Sequence, residues 1–85
     1  MKTKIIKLIT DAGFEISDTT QTDELGLPVF DVTIKGTINE QQQQQLEPQL
    51  KAQCGTLTRL GIYTQELGYD DVPAGHTLLE IDLTN

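Results

Sequence analysis

The sequence has 85 residues, 36% of them hydrophobic, and a formal net charge of −7. A chain of this length has room for one domain, residues 1–85, and its composition excludes both a wholly disordered chain and a membrane protein. No apolar run approaches the roughly 20 residues that cross a bilayer. The single cysteine, Cys54, excludes an internal disulfide. Because such cysteine usage favours a reducing compartment, we expect a cytoplasmic protein of a bacterium or of an infected host.

The charges are unevenly distributed along the chain. The first ten residues hold three lysines and no acid, whereas the other 75 residues hold three bases and all 13 acids. This surplus of carboxylates repels nucleic acid and acidic membranes, because binding to either relies on Lys and Arg that neutralise phosphate. It favours a basic partner, including a protein surface that normally holds nucleic acid. The alternative interpretation is that net charge only keeps a small protein soluble.

The first segment is predicted to be a helix over residues 3–12. Its apolar side chains recur at helical spacing, at Ile5, Leu8, Ile9 and Ala12. Gly13 is placed for a left-handed C-cap, and Phe14 follows as the apolar residue that often packs back. The basic and then apolar start is similar to that of a signal peptide. However, Lys7 interrupts the apolar run and no cleavage pattern follows, so we expect mature structure.

Two strands are predicted next. Residues 14–19 alternate briefly and are rich in threonine. Residues 29–35 alternate clearly, with Phe30, Val32 and Ile34 on one face of the strand. The residues 23–28 between them are predicted to form a hairpin connection.

A second helix is predicted from Asn39, a good N-cap residue with Gln42 three positions on, the spacing of a capping box. Its apolar stripe consists of Leu46, Leu50 and Cys54. Gly55 is expected to end this helix. Pro48 removes a backbone hydrogen bond inside it, so we expect one helix with a kink.

Two further strands complete the pattern. Residues 56–65 lean towards β structure, with Leu60 and Ile62 on one face and Tyr63 on the other, and Gly61 is predicted to mark a bulge. In residues 77–84 the inward positions are Leu79, Ile81 and Leu83, and the outward positions are Glu80, Asp82 and Thr84. The connection between these strands is predicted over residues 66–76.

Offsetting the chain against itself by 42 residues aligns Leu8 with Leu50 and Gly13 with Gly55, and it also aligns the segment Glu24–Gly26 with Glu66–Gly68. This self-similarity suggests two αββ repeats, residues 1–38 and 39–85. The predicted fold is therefore an α+β two-layer sandwich of order α-β-β-α-β-β. We expect a four-stranded, mostly antiparallel sheet with two helices on one face.

No segment carries a recognisable catalytic motif. The one histidine, His76, has no nucleophile at a diagnostic spacing, and no nucleophile elbow, P-loop or dinucleotide fingerprint is present. His76 with Asp70 and Asp71 could hold a divalent metal, but solvated loop charge is the favoured interpretation because adjacent aspartates do not easily face one ion. Cys54 has no basic neighbour to activate it, so we expect it to pack in the core. We predict no enzyme activity, no cofactor and no metal site.

Acids cluster at the two predicted hairpin connections. If a two-fold axis relates the repeats, both connections lie towards one edge of the sheet and bring six carboxylates together. These are Asp18, Asp23, Glu24, Glu66, Asp70 and Asp71. The second connection also holds three apolar residues, which we predict to be partner-binding anchors: Leu67, Tyr69 and Val72. The alternatives are a merely solvated acidic surface and a loop that its own apolar side chains tie down.

The predicted function is that of a small acidic, non-enzymatic protein that binds a basic surface of a partner protein. A narrower form is an inhibitor that mimics nucleic-acid charge, of the phage or mobile-element type directed against defence complexes. Its partner would be a nucleic-acid-binding protein, with no direct contact to nucleic acid or membrane. One alternative is a self-associating accessory module of a larger assembly, a homodimer paired through the strand that ends at Leu83. Another is a small metal- or ligand-binding protein that uses His76.

Overall fold

The computed structural model describes residues 2–24, 26–54 and 56–84. The elements are α1 (Lys2–Asp11), β1 (Ile16–Glu24), β2 (Leu27–Lys35), α2 (Glu40–Cys54), β3 (Thr56–Tyr63) and β4 (His76–Thr84), with a 3-10 helix at Gln65–Leu67. The strands form one antiparallel sheet in the order β1-β2-β4-β3. Both helices pack on one face of this sheet, so the predicted α+β sandwich and its element order are confirmed. Neither described helix has the length and apolar character needed to cross a bilayer.

The hydrophobic core lies between the helices and the sheet. The strands β2 and β4 at the centre of the sheet contribute Phe30, Val32, Ile34, Leu79, Ile81 and Leu83, and the helices contribute Ile5, Ile9, Leu46 and Leu50. All of these side chains are buried. The alternation of the two central strands therefore predicted correctly which of their faces is covered.

Helix α1 ends and helix α2 begins with the caps that the sequence predicts. The N–H of Gly13, at φ 98°, donates to the carbonyl of Thr10 over 3.0 Å, and the N–H of Phe14 donates to the carbonyl of Ile9 over 3.3 Å. This pair of bonds is a Schellman cap, and Phe14 packs into the core. Helix α2 runs unbroken through Pro48.

At the start of α2, the Asn39 side chain accepts from the N–H of Gln42 over 2.8 Å, and the Gln42 side chain accepts from the N–H of Asn39 over 2.9 Å. These reciprocal bonds confirm the capping box. Gly55, expected to end α2, and the side chain of Cys54, expected in the core, lie outside the described residues.

The first hairpin differs from its prediction. The chain reverses within the predicted residues 23–28, but the connection is shorter, because Asp23 pairs with Pro28 and Glu24 pairs with Leu27 inside the ladder of β1 and β2. Strand β1 shows no apolar alternation, and pairing with β2 sets its length. Pro28 is tolerated because it precedes the β2–β4 ladder, which begins where Val29 pairs with Asp82.

The predicted bulge at Gly61 is also wrong, because Gly61 pairs regularly with Glu80. The register of β3 shifts instead between Leu57 and Arg59. Strand β3 ends at Tyr63 rather than at residue 65, and the 3-10 helix follows it.

The central ladder is symmetric about one pair of residues. Phe30 pairs with Ile81, Val32 pairs with Leu79, and Asp31 faces Glu80 between them. A two-fold axis beside Asp31 and Glu80 would exchange the two αββ units. It would map Phe30 onto Leu79 and Ile81 onto Val32, so that the first pair becomes the second. The two αββ repeats stay a prediction, and the register of β2 with β4 is compatible with them.

This antiparallel ladder overturns two expectations. The β1–β2 hairpin turns at the end of the sheet where β4 finishes, and the β3–β4 connection lies at the end where His76 pairs with Lys35. The two connections therefore lie at opposite ends of the sheet rather than at one edge. Strand β4, which carries Leu83, lies between β2 and β3 and cannot pair with a second chain. The sheet edges are β1 and β3.

Candidate functional site: the open face of the sheet

The sheet face opposite the helices, which we call the open face, is rich in carboxylates. Alternation along the strands places Asp31, Glu80 and Asp82 there, as predicted, and Asp18 occupies an open-face position on β1. Asp31 and Glu80 lie directly opposite each other on neighbouring strands. Like charges in this arrangement repel, so this pair concentrates negative charge at the centre of the open face.

Arg59 lies over this acidic centre. Its Nη2 is 3.4 Å from Glu80 Oε1, and its Nε is 3.9 Å from Asp82 Oδ2. The guanidinium also lies 5.9 Å from the centre of the Tyr63 ring, and Nη2 donates a hydrogen bond to Tyr63 Oη. Arg59 therefore joins two carboxylates and one aromatic ring on adjacent strands.

Gly61 allows Arg59 and Tyr63 to meet. These two residues flank it in β3 and share its face of the sheet. A Cβ atom at position 61 would lie 2.7 Å from Tyr63 Oη and 3.0 Å from Arg59 Nη2. The glycine is thus explained by the two side chains that cross over it, since any larger residue would push them apart.

The β3–β4 connection, residues 64–75, folds back against the open face. Its 3-10 helix is capped by Thr64, whose Oγ1 accepts from the N–H of Leu67 over 3.3 Å. The Tyr69 ring meets the Tyr63 ring edge to face, with centres 4.6 Å apart. Val72 is only 2% exposed. Val72, which we predicted to be a partner-binding anchor, therefore packs within its own chain.

A shallow groove of about 370 Å³ separates this connection from the sheet. It is lined by Tyr63, Tyr69, Asp71, Val72, Leu78 and Glu80. The groove combines two aromatic rings, two aliphatic side chains and two carboxylates. Burial, and then the nearby Glu80 carboxylate, raise the pKa of Tyr63 above its usual value of 10.0.

The second connection brings its predicted residues together on the surface. Leu67 and Tyr69, at 64% and 44% exposure, are the exposed large hydrophobic residues of the described chain. Three exposed acids accompany them: Glu66, Asp70 and Asp71. This end of the molecule therefore presents both charge and apolar surface.

The other three predicted acids lie on edge strand β1, away from that connection. Asp18 lies on the open face. It belongs to the row of paired residues that runs across the sheet through Thr33 and Leu78 to Tyr63. Asp23 occupies a helix-face position of β1. The side chain of Glu24 lies outside the described residues. The structure thus joins the second connection to the open face and does not join it to the first hairpin.

The charges divide between the two layers of the fold. By sequence position, the helices hold four of the six bases and three of the 13 acids, so the sheet and its connections hold ten acids and two bases. Both of those bases, Lys35 and Arg59, are already ion-paired, Lys35 with Glu15 over 3.3 Å. The surplus of negative charge therefore lies with the sheet and its connections.

His76 does not assemble the metal site considered from the sequence. Its Nδ1 lies 3.0 Å from the carbonyl oxygen of Ala74. In the part of the chain that the structure describes, no group of three or more His, Cys, Asp or Glu side chains is arranged to hold a metal ion.

Sequence reasoning did not assign Arg59, Tyr63, Leu78 or Glu80 to a site. Alternation did place Tyr63 and Glu80 on outward faces, and pairing β3 with β4 as a hairpin would have made them neighbours. The fold and site define the class as a small α+β sandwich with an acidic open sheet face. Comparisons with known proteins give no match: no family model, curated protein or solved structure is similar to this chain.

Proposed function

We propose that this chain is a small non-enzymatic protein that binds a basic surface of a partner protein. The binding surface is the open face of the sheet together with the connection of residues 64–75. The observation that carries the proposal is the division of charge, with ten acids and two ion-paired bases in the sheet layer. Complementary charge suppresses wrong partners and fixes the orientation of the right one.

The exposed apolar side chains support the same surface. Leu67 and Tyr69 stand beside Asp70 and Asp71 at one end of the open face. Aromatic anchors near a centre of charge are typical of interface residues with large effects on affinity. An acidic surface that served only solubility would not need them there.

The narrower form of this function is inhibition by mimicry of nucleic-acid charge. A protein surface that binds nucleic acid carries Lys and Arg for phosphate, and the carboxylates of the open face would compete for the same cations. Such a partner should release its nucleic acid when this chain binds. A partner that holds both at once would limit the function to docking alone.

The test compares two triple variants with the same change in net charge. The sheet-layer variant carries Asp18→Asn, Asp70→Asn and Asp71→Asn, and the helix variant carries Asp11→Asn, Glu40→Gln and Glu47→Gln. Each is used to capture partners from source cells or their host at low and high salt, and captured proteins are then purified and titrated.

We expect the wild-type chain and the helix variant to bind a basic protein with an affinity that falls steeply as salt rises. The sheet-layer variant should lose this binding to the basic protein. Equal loss in both variants would show that only net charge matters, and binding that ignores salt would contradict the proposal.

Self-association is the second candidate function, and the strand order favours edge strand β1 over β4 for it. Edge strand β1 has nine residues and an exposed outer side, which is the usual site of pairing between chains. Antiparallel self-pairing centred between Thr20 and Gln21 would set Asp18 against Asp23, which opposes it. A tight homodimer in mass measurements would favour this candidate, and a monomer would favour docking to a basic partner.

A further inference from the structure

We infer that the groove between Tyr69 and the sheet binds the side chain of an arginine residue of the partner. This inference rests on the proposed function and narrows its chemistry to one kind of side chain. The groove lies on the surface assigned to docking, and it supplies both an aromatic and an ionic contact.

The size of the groove suits a side chain. Its volume of about 370 Å³ lies near the lower end of the range of about 300–1,000 Å³ typical of small-ligand sites. Leu78 and the two tyrosine rings offer apolar surface for an aliphatic stem. Asp71 and Glu80 supply negative charge at the same site.

Asp71 is the carboxylate best placed to meet a cation from outside. Its side chain is exposed, and it forms no ion pair within the residues that the structure describes. Glu80 is shared, since it already contacts Arg59 over 3.4 Å. An incoming cation would therefore find one uncompensated carboxylate and one partly compensated carboxylate.

Arg59 shows the same mode of contact inside the chain. Its guanidinium lies 5.9 Å from the Tyr63 ring centre and contacts Glu80 and Asp82. The groove repeats these components beside it, with Tyr69 in place of Tyr63 and Asp71 in place of Asp82. A second guanidinium, supplied by the partner, would meet the same combination of ring and carboxylates.

Arginine fits this combination better than lysine does. A guanidinium is planar and weakly hydrated, stacks on aromatic rings and can bond to a carboxylate through two N–H groups. A lysine ammonium is a strongly hydrated point charge and gains less from the rings. The groove should therefore discriminate between two side chains of equal charge.

The test uses capped amino acids as probes of the full chain at constant ionic strength. Amide chemical shifts are followed while Nα-acetyl-arginine N-methylamide is added, and the lysine and citrulline counterparts are added in parallel. Citrulline has nearly the shape of arginine and no charge. We expect arginine to shift the amides around Tyr69–Val72 and Leu78–Glu80, lysine to bind more weakly, and citrulline to leave them unchanged.

Two variants with the same change of charge locate the contact. Asp71→Asn should weaken arginine binding about fivefold, as expected for one exposed charge pair. Asp11→Asn, on helix α1 and outside the groove lining, should not. Equal effects of the two variants, or equal binding of arginine and lysine, would overturn the inference.

The outcome is separable from that of the proposed function. Salt-sensitive capture of a basic protein with no arginine-specific shifts would overturn the groove and leave docking standing. Arginine-specific shifts without any basic partner would support the groove and count against docking.

Discussion

Replacing Arg59 with Met should destabilise the protein in a salt-dependent way. The substitution keeps an unbranched apolar stem and removes the base that contacts Glu80 and Asp82 on the open face. Glu80 and Asp82 then lose their ion pairs, and Glu80 still lies opposite Asp31. The predicted loss therefore combines missing attraction with added repulsion.

The size of the loss follows from the contacts of Arg59. Its side chain is 54% exposed, and the two carboxylates are 30% and 27% exposed, so each ion pair is screened and contributes about 0.2–1 kcal/mol. The contact with the Tyr63 ring adds about 0.5–1 kcal/mol. We expect a total of about 1–2 kcal/mol at low salt, and each kcal/mol should lower the Tm of a domain of this size by about 4–8 °C.

The assay is urea unfolding followed by circular dichroism at low and high salt. At 1 M salt the screening length is about 3 Å, shorter than the contacts of 3.4 and 3.9 Å, so most of the ionic loss should disappear. The matched control is Lys35→Met, which removes one charge from an isolated pair with Glu15. It should cost less than about 0.5 kcal/mol. An equal cost for both variants, or a cost for Arg59→Met that salt does not change, would refute the reasoning.

Two further predictions concern Tyr63 and the start of α2. Because the raised pKa of Tyr63 makes the folded state hold the phenol proton more tightly than the unfolded chain does, stability should fall as pH rises from 10.0 through that raised value. The variant Tyr69→Phe leaves Tyr63 as the one tyrosine of a chain without tryptophan, so the ultraviolet titration follows Tyr63 alone. Its midpoint should lie above 10.0, and adding Glu80→Gln should lower it. A midpoint at 10.0 would show that burial does not raise the pKa of Tyr63. Asn39→Ala should cost about 1 kcal/mol in urea unfolding because it removes the capping box. The control Gln45→Ala, at an exposed position, should change the free energy of unfolding by no more than about 0.5 kcal/mol. An equal cost for Asn39→Ala and Gln45→Ala would mean that the capping box does not stabilise the protein.

The sequence predicts best where a pattern is local and strong. Strands β2 and β4 alternate over residues 30–35 and 79–84, and the buried helix-facing side of both follows from that period of two. The capping box of Asn39 and the C-cap at Gly13 are set by residues only a few positions apart. In each case the physical cause lies within one element, so no knowledge of its neighbours is needed.

Prediction fails where the cause is a distant pairing partner. The length of β1 depends on β2, because its own threonines and acids give no apolar period. Val72 looked like an exposed anchor because its connection is polar, and only the way this connection folds back buries it. The positions of the two hairpins depended on the antiparallel ladder of β2 and β4, which places them at opposite ends.

The site was half visible for the same reason. Asp70, Asp71 and Tyr69 stand out in a short polar segment, and the structure confirms that they are exposed. The opposite wall of the groove is built by Leu78 and Glu80 of β4 and by Tyr63 of β3. Those residues join the connection only because the chain folds back there, which no spacing along the sequence reveals.

The separation of charge between the two layers gives the molecule an electric dipole. The helices, with four lysines and three acids, form its positive pole, and the sheet, with its surplus of eight acids over bases, forms its negative pole. A cationic surface would orient this dipole before contact. The sheet would therefore turn towards that surface from about a Debye length away. Encounters then begin in nearly the productive orientation. Added salt should therefore lower the association rate constant before it shortens the lifetime of the complex.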